Sequence, residues 1–211
     1  MNKQIFIQQI QLGNMANFSY IVGDKTSGKA AVIDPHDETD TIEAAAAKTN
    51  LSIGAVLLTH GHYDHTGGLK YYADKLKLPV TLSADEYFLY VPHCTTLSRV
   101  KDNDRIQLGS FTIECLHTPG HTPGCISFLF EGNLFTGDTL FVDAVGRTDL
   151  PGGDAATLFK SLQKIKQLPD ATIIWPGHDY GSVASQTLKT LKLENPFLTC
   201  KTQKDFLSLA G

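Results

Sequence analysis

Four ligand-type side chains crowd into six positions, His60-Gly61-His62-Tyr63-Asp64-His65, just past the short apolar run at 54–58. The run reads as a buried strand, and the loop beyond a strand's carboxyl end is where α/β proteins place their chemistry. Residues two apart in an extended loop point the same way, so His60 and His62 aim together. A helix beginning near Tyr63 swings Asp64 and His65 to a neighbouring direction, and the motif then offers two ligand sets side by side. Gathering imidazoles and carboxylates in a half-buried place is costly unless a cation compensates them. Neutral imidazole and carboxylate suit Zn, Fe or Mn rather than Cu(I). The plain alternative is a solvated polar loop that happens to hold histidines. Four ligand types in six positions, with Gly67-Gly68 behind them, argue against it.

A cation needs donors from elsewhere, because one loop seldom surrounds it. Three other places end a strand with glycine and a ligand-type residue: His117-Thr-Pro-Gly-His121, Phe135-Thr136-Gly137-Asp138, and Trp175-Pro176-Gly177-His178. Each alone is ordinary turn chemistry, but together they are strand ends carrying one donor apiece, as a rigid scaffold builds a site. The rest of the pattern describes that scaffold. Segments 1–7, 18–23 and 30–34 read as strands, the first by its polar–apolar alternation rather than as a secretion signal. The alanine-rich stretch 38–49 reads as a helix with Asp37 or Glu38 at its positive end, and 67–76 as another. From 105 to 135, short strands separated by Gly-rich turns form a meander, and helices over 155–167 and 182–193 flank a strand at 172–175. That order fits two packed sheets with helices outside, in one domain.

The run Thr59-His60-x-His62-x-Asp64-His65, followed in order by His121, Asp138 and His178, resembles the metallo-β-lactamase-fold hydrolase superfamily. The resemblance implies an αβ/βα sandwich of two mixed β-sheets with helices on both outer faces and the site at one edge of the paired sheets. It implies that His60, His62 and His121 hold one divalent metal, that Asp64, His65 and His178 hold a second, and that Asp138 bridges; zinc is the first expectation, iron or manganese the next. Within the superfamily, Asp138-Thr139-Leu140-Phe141, Gly146-Arg147-Thr148-Asp149, Pro176-Gly177-His178-Asp179-Tyr180 and Asn195-Pro196 are similar to glyoxalase II-like (hydroxyacylglutathione hydrolase-like) thioester hydrolases and to persulfide dioxygenases. Glyoxalase II carries a longer helical carboxyl-terminal region that grips glutathione; only a short stretch follows His178, so 1–211 reads as the metallo-β-lactamase-like domain alone. The implied reaction is cleavage of a small-molecule thioester by metal-activated hydroxide. Asp64 and Asp138 would fix the metals and orient the nucleophile, Arg147 would grip a substrate carboxylate, and Tyr180 would line the pocket. Arg147 also has the plain reading of a surface pair with Asp149 or Asp154, and Tyr180 that of packing.

The alternative reaction implied by the same motifs is persulfide dioxygenation, with His60, His121 and Asp138 around one non-haem iron. A metal-stabilised binding module without turnover is the reading from another class; a closed structural site needs only about four ligands, which disfavours it. Hydrophobic residues make up 42% and charged residues 19%, which excludes a disordered chain. The apolar runs fall far short of the ~20 residues that span a bilayer, so no membrane association is expected. A net charge of −4 without runs of like charge speaks against a nucleic-acid partner. Cys94, Cys115, Cys125 and Cys200 form no Cys-x-x-Cys pair and read as reduced thiols of a cytoplasmic protein. His36 reads as a turn residue before a helix, His93 as a loop residue, and His117 as a structural or outer partner of the site rather than a ligand. Oligomeric state is not legible, although the amino-terminal strand at a sheet edge offers a way to pair two copies.

Overall fold

Strand alternation sorts the apolar residues into three layers. The computed structural model describes residues 4–86 and 96–210, so His93 and Cys94 lie outside the described residues. One sheet contains, in spatial order, β1 (Ile5–Leu12), β2 (Asn17–Asp24), β3 (Lys29–Ile33), β4 (Ser52–Leu57), β5 (Val80–Ser83) and β6 (Leu97–Val100). The other runs from β7 (Arg105–Leu108) through β8 (Phe111–His117), β9 (Ile126–Phe130), β10 (Asn133–Gly137) and β11 (Ile173–Pro176) to β12 (Gln186–Thr187). Because side chains alternate along a strand, Phe18, Tyr20 and Val22 of β2 face one side while Ile21 faces the other. The first side joins Ile33 and Leu57 against Phe111, Ile113, Phe128, Phe130 and Phe135 of the second sheet. Each such fully buried side chain contributes about 1.5–3 kcal/mol, and this inter-sheet core holds the sandwich together.

The outer faces are covered by helices. On the first sheet, Ile42 and Ala45 of α1 (Thr39–Ala46) and Tyr72 and Ala73 of a π-helical turn (Lys70–Lys75) pack over Ile21, Val32 and Val56. A one-turn helix, α2 (Tyr63–Thr66), stands at the rim. On the second sheet, α3 (Ala155–Ile165), α4 (Leu188–Glu194), α5 (Pro196–Thr199) and α6 (Gln203–Ala210) pack Leu158, Leu162, Leu191, Leu198 and Phe206 over Leu134 and Ile174. The architecture is the αβ/βα sandwich with two mixed sheets. No described helix is long and apolar enough to cross a membrane.

Three expected elements come out differently. The helix expected over 67–76 is instead the π-helical turn at Lys70–Lys75, with α2 a separate turn before it: Gly68 donates its N–H to Pro35 O at 2.8 Å, and Leu76 closes back on Tyr71 O. The helix expected over 182–193 begins only at Leu188, after the short strand β12, with the Thr187 hydroxyl accepting the Thr190 N–H as its cap. The helix expected over 38–49 ends at Ala46, and the Glu38 carboxylate at its positive end accepts the Gly13 N–H at 2.8 Å. Helices α5 and α6 had no counterpart in the sequence pattern. Asn195, fully buried, explains the first: its Oδ1 accepts the N–H groups of Phe197 and Leu198, while its Nδ2 donates to the carbonyls of Phe141, Val142 and Ala144. One side chain thus ties the carboxyl-terminal helices to the loop behind Asp138.

Topology brings the site to one rim. Strands β3 and β4 are parallel, as are β10 and β11, so the carboxyl ends of each pair open on the same edge. The two sheets are pinned there by Phe18 N–H to Gly177 O at 2.8 Å, Ile126 N–H to Thr59 O at 2.9 Å, and the Tyr20 hydroxyl to Pro176 O.

Candidate metal centre

Seven side chains from four segments converge at this rim. His60 and His62 leave the end of β4, and Asp64 and His65 lie on α2. His121 stands on the β8–β9 turn, Asp138 just after β10, and His178 just after β11. Two glycines permit the approach. A Cβ on Gly137, whose φ is +49°, would lie 2.2 Å from the Thr59 hydroxyl, and one on Gly177 would lie 2.3 Å from Asp138 Oδ1.

The donors fall into two groups, His60 with His62 and His121, and Asp64 with His65 and His178, the atoms of each lying within 4.8 Å of one another. His62 Nδ1 faces His121 Nε2 at 2.9 Å, and His65 Nε2 faces His178 Nε2 at 3.1 Å. Asp138 lies between the groups: Oδ1 is 3.3 Å from His65 Nε2, and Oδ2 is 3.3 Å from His178 Nε2 and 3.5 Å from His121 Nε2. Donors around a tetrahedral ion at ~2.0–2.1 Å stand about 3.3 Å apart, which these separations match. A third grouping, Asp34 with His60 and His65, meets the same 4.8 Å limit.

The far side of each ring shows why the donors point inward. His121 Nδ1 donates to Arg147 O at 2.7 Å, His178 Nδ1 to Met15 O at 2.8 Å, and His65 Nδ1 to Asp34 Oδ2 at 3.1 Å. His60 Nδ1 meets the Thr59 hydroxyl at 3.1 Å, and its Nε2, fully buried, has no partner. An orphaned buried nitrogen among inward-facing lone pairs is what a cation would satisfy, so the residues fit such an ion.

The charges divide the same way. Burial, then the neighbouring His65, pushes His60 well below the usual imidazole range; burial, then His121, lowers His62. Burial also works against charge on His65 and His178, yet Asp138 lifts His65 well above that range, and Asp138 with Asp64 lifts His178 to about 9. Burial opposes ionisation of Asp138, but the imidazoles, His65 foremost, keep its carboxyl well below the usual range.

One residue at the centre is missing from the sequence reading. Asp34 directly follows β3, buried and with φ at +48°. Its Oδ1 accepts the Thr59 N–H at 2.7 Å, while its Oδ2 accepts the Thr59 hydroxyl at 2.5 Å and the His65 ring. The signal was present: an apolar strand ending in an acid before Pro35, the layout already noted at Asp138. The two expected substrate residues lie outside the core of the site. Arg147 places Nε and Nη2 each 2.6 Å from the Asp149 carboxylate, so its guanidinium is paired at the surface while its carbonyl serves His121. Tyr180 is stacked on His178, with ring centroids 4.6 Å apart and planes at 8°. His117 is not among the clustered donors; its Nε2 bonds Pro123 O at 2.9 Å within its own turn. His36 sits before α1, where its Nδ1 accepts the Glu38 N–H at 3.3 Å. Cys115 and Cys125 are buried free thiols, and Cys200 is half-buried and free.

The chain belongs to the family described as the metallo-beta-lactamase superfamily, whose profile matches residues 12–178. Among its relatives is the probable polyketide biosynthesis zinc-dependent hydrolase BaeB of Bacillus velezensis, 30% identical over 92% of this chain and 86% of that protein. The human persulfide dioxygenase ETHE1 is 33% identical over 98% of this chain and 81% of its own length. A hydroxyacylglutathione hydrolase of Alkalilimnicola ehrlichii is 34% identical over 87% and 69%. The crystal structure of TTHA1623 in a di-iron-bound form superposes with a TM-score of 0.77 at 31% identity, covering 90% of this chain and all of that one.

Proposed function

We propose that this chain is a metal-dependent hydrolase that cleaves thioesters, a hydroxyacyl-glutathione being the type substrate, with two divalent ions of which zinc is the first expectation. The observation that carries the reading is the pairing of two three-residue donor groups about one shared carboxylate, Asp138. His60, His62 and His121 would hold one ion, and Asp64, His65 and His178 the other. Such ions, when bound, supply Lewis acidity and a nucleophile drawn from water near neutral pH.

The chain's own residues supply position. Asp34, the Met15 carbonyl and the Arg147 carbonyl lock three rings by their far nitrogens, so the donors need no reorganisation on binding. Asp64, fixed by the Asn17 amide at 2.8 Å, and Asp138, wedged between the two groups, orient the attacking oxygen. That oxygen bonds to the thioester carbonyl carbon, the carbon–sulfur bond breaks, and the thiolate leaves. With a thiol pKa near 8.5, departure needs little help from an acid, so no separate acid–base pair is required. Tyr180, flat against His178, offers a wall along which the substrate chain lies, and Arg147 can exchange Asp149 for a substrate carboxylate. In this reading the partner is a small molecule met in the cytoplasm, neither a membrane nor a nucleic acid.

The identity with ETHE1 favours a second reading, oxygen-dependent oxidation of a persulfide at one iron held by His60, His121 and Asp138. That arrangement leaves Asp64, His65 and His178, clustered and mostly buried, without a cation, which is why the hydrolase is preferred. The deciding experiment assays anaerobically purified protein of known metal content with S-lactoylglutathione, and separately with glutathione persulfide and oxygen. Two metals and thioester cleavage without oxygen uptake are expected; one iron with oxygen consumption would overturn the proposal.

A further inference from the structure

A cavity of about 430 Å³ opens beside Asp64. Its wall brings together the carboxylates of Asp37, Glu38 and Asp64, set against one imidazole, His36, and among the described residues that line it there is no Lys or Arg. Asn17 also lines it and is 2% exposed. The Asn17 amide spends its nitrogen on Asp64 Oδ2 and Asp64 O, while its oxygen, buried, has no partner. An acceptor left bare in a buried place costs about 1–3 kcal/mol unless a donor reaches it. The partners already present do not change that balance: Glu38 is engaged with the Gly13 N–H and His36 Nδ1 lies 2.8 Å from Asp37, and both leave the wall acidic. Met15 and Tyr63, 37% and 70% exposed, add apolar surface to the same wall. A wall rich in acceptors, short of cations and apolar in part recognises a short carbon chain that ends in hydrogen-bond donors.

We propose that this cavity is the acyl subsite of the thioesterase and that it selects acyl groups carrying an ammonium or comparable donor, with Asn17, Asp37 and Glu38 as the specificity-determining residues. This rests on the hydrolase reading above and deepens it. Asp64 contributes to the wall but belongs to the centre, so the discriminating residues are the three that touch no clustered imidazole. The reaction is unchanged: water adds at the carbonyl carbon, the carbon–sulfur bond breaks, the thiolate leaves, the acyl group departs as its carboxylate, and the two protons of the water pass to solvent.

The test uses three thioesters of one thiol, N-acetylcysteamine, whose acyl groups share a three-carbon stem and end in a cation, no charge or an anion: β-alanyl, propionyl and succinyl. A fourth, the propionyl thioester of N,N-dimethylcysteamine, moves the ammonium to the thiol side. The expected kcat/KM order is β-alanyl over propionyl over succinyl, with at least about tenfold between the first and last and no gain for the fourth. Asp37→Asn with Glu38→Gln, which keeps shape and the Gly13 contact, should shrink the β-alanyl to succinyl ratio severalfold. The second readout is binding. β-Alaninamide and succinamate are titrated into the metal-loaded protein while the Asn17 side-chain amide resonances are followed by NMR; the former should move them and the latter should not. Equal turnover of all acyl groups with no Asn17 shift overturns the subsite and leaves the hydrolase standing. An Asn17 shift without any thioester turnover supports the subsite's ligand chemistry and overturns the hydrolase. A preference for the fourth thioester assigns the cavity to the thiol and overturns the acyl assignment, and neither turnover nor shift overturns both.

Discussion

The two donor groups differ in what stands behind them. In the first, His60 and His121 are braced by neutral groups, a threonine hydroxyl and a main-chain carbonyl, and His62 faces His121. His65, His178 and Asp64 are braced by Asp34, by Met15 O and by Asn17, so two carboxylates sit within this half. The consequence is opposite basicity: the first group's His60 and His62 are pushed down by burial and by each other's neighbours, while the second group's histidines are lifted by Asp138, Asp34 and Asp64. One fold edge therefore makes two unlike half-sites, and the difference comes from where the carboxylates stand: Asp138 and Asp64 among the donors, with Asp34 behind His65.

The largest effect on this comparison should come from Asp138→Ala. The residue serves both halves, so the variant should retain at most one ion per chain by elemental analysis and lose activity to background. Next, His62→Ala and His178→Ala should each remove one ion but from opposite halves; hydrolysis by two ions is lost in both, whereas a mononuclear oxygenase would survive His178→Ala. Asp34→Asn keeps the size but loses charge behind His65, and should weaken the second half about 10–100-fold in metal affinity while the first half changes less. Arg147→Ala removes a guanidinium already spent on Asp149 and leaves the carbonyl that holds His121. Ion content should therefore stay at the wild-type value, and KM for a carboxylate-bearing thioester should rise about two- to fivefold, the scale of an exposed pair.

The smallest effect lies far from the centre. Asp24, at the end of β2, accepts the N–H groups of Thr26 and Ser110, both at 2.8 Å, and so ties the first sheet to the β7–β8 turn of the second. The Ser110 N–H, foremost, holds its carboxyl far below the usual carboxylate range against the cost of burial. A depressed folded pKa contributes stability above the unfolded value and loses it only as pH falls through the folded one. Asp24→Asn should lower Tm by the same amount from neutral pH down to about 4, with the gap to wild type closing in stronger acid, and should leave ion content untouched.

Much of this was legible because strand ends announce themselves. An apolar run followed by glycine and a donor marked Asp138 and His178, and two-residue spacing marked His60 and His62. The two-sheet architecture followed from the meander and the flanking helices. What escaped was set by contacts between distant segments. Asp34 was read only as the end of the strand at 30–34, because its role depends on Thr59 and His65 arriving from beyond the next strand. The register of α4 was misplaced because the pairing of Gln186 and Thr187 with β11 overrides the helical pattern before Leu188. Helix α5 was hidden because Asn195 caps it while also holding a loop fifty residues earlier. Arg147 carried both of its readings into the structure, where the guanidinium pairs with Asp149.

The central claim is that two half-sites around Asp138 each take a divalent ion. It is tested most directly by titrating chelator-stripped protein with Zn²⁺ in a calorimeter, beside His178→Ala treated identically. The account predicts two equivalents for the wild type, one for the variant, and thioesterase activity that returns only with the second equivalent. A single equivalent in both proteins, or full activity before any zinc is added, would contradict it.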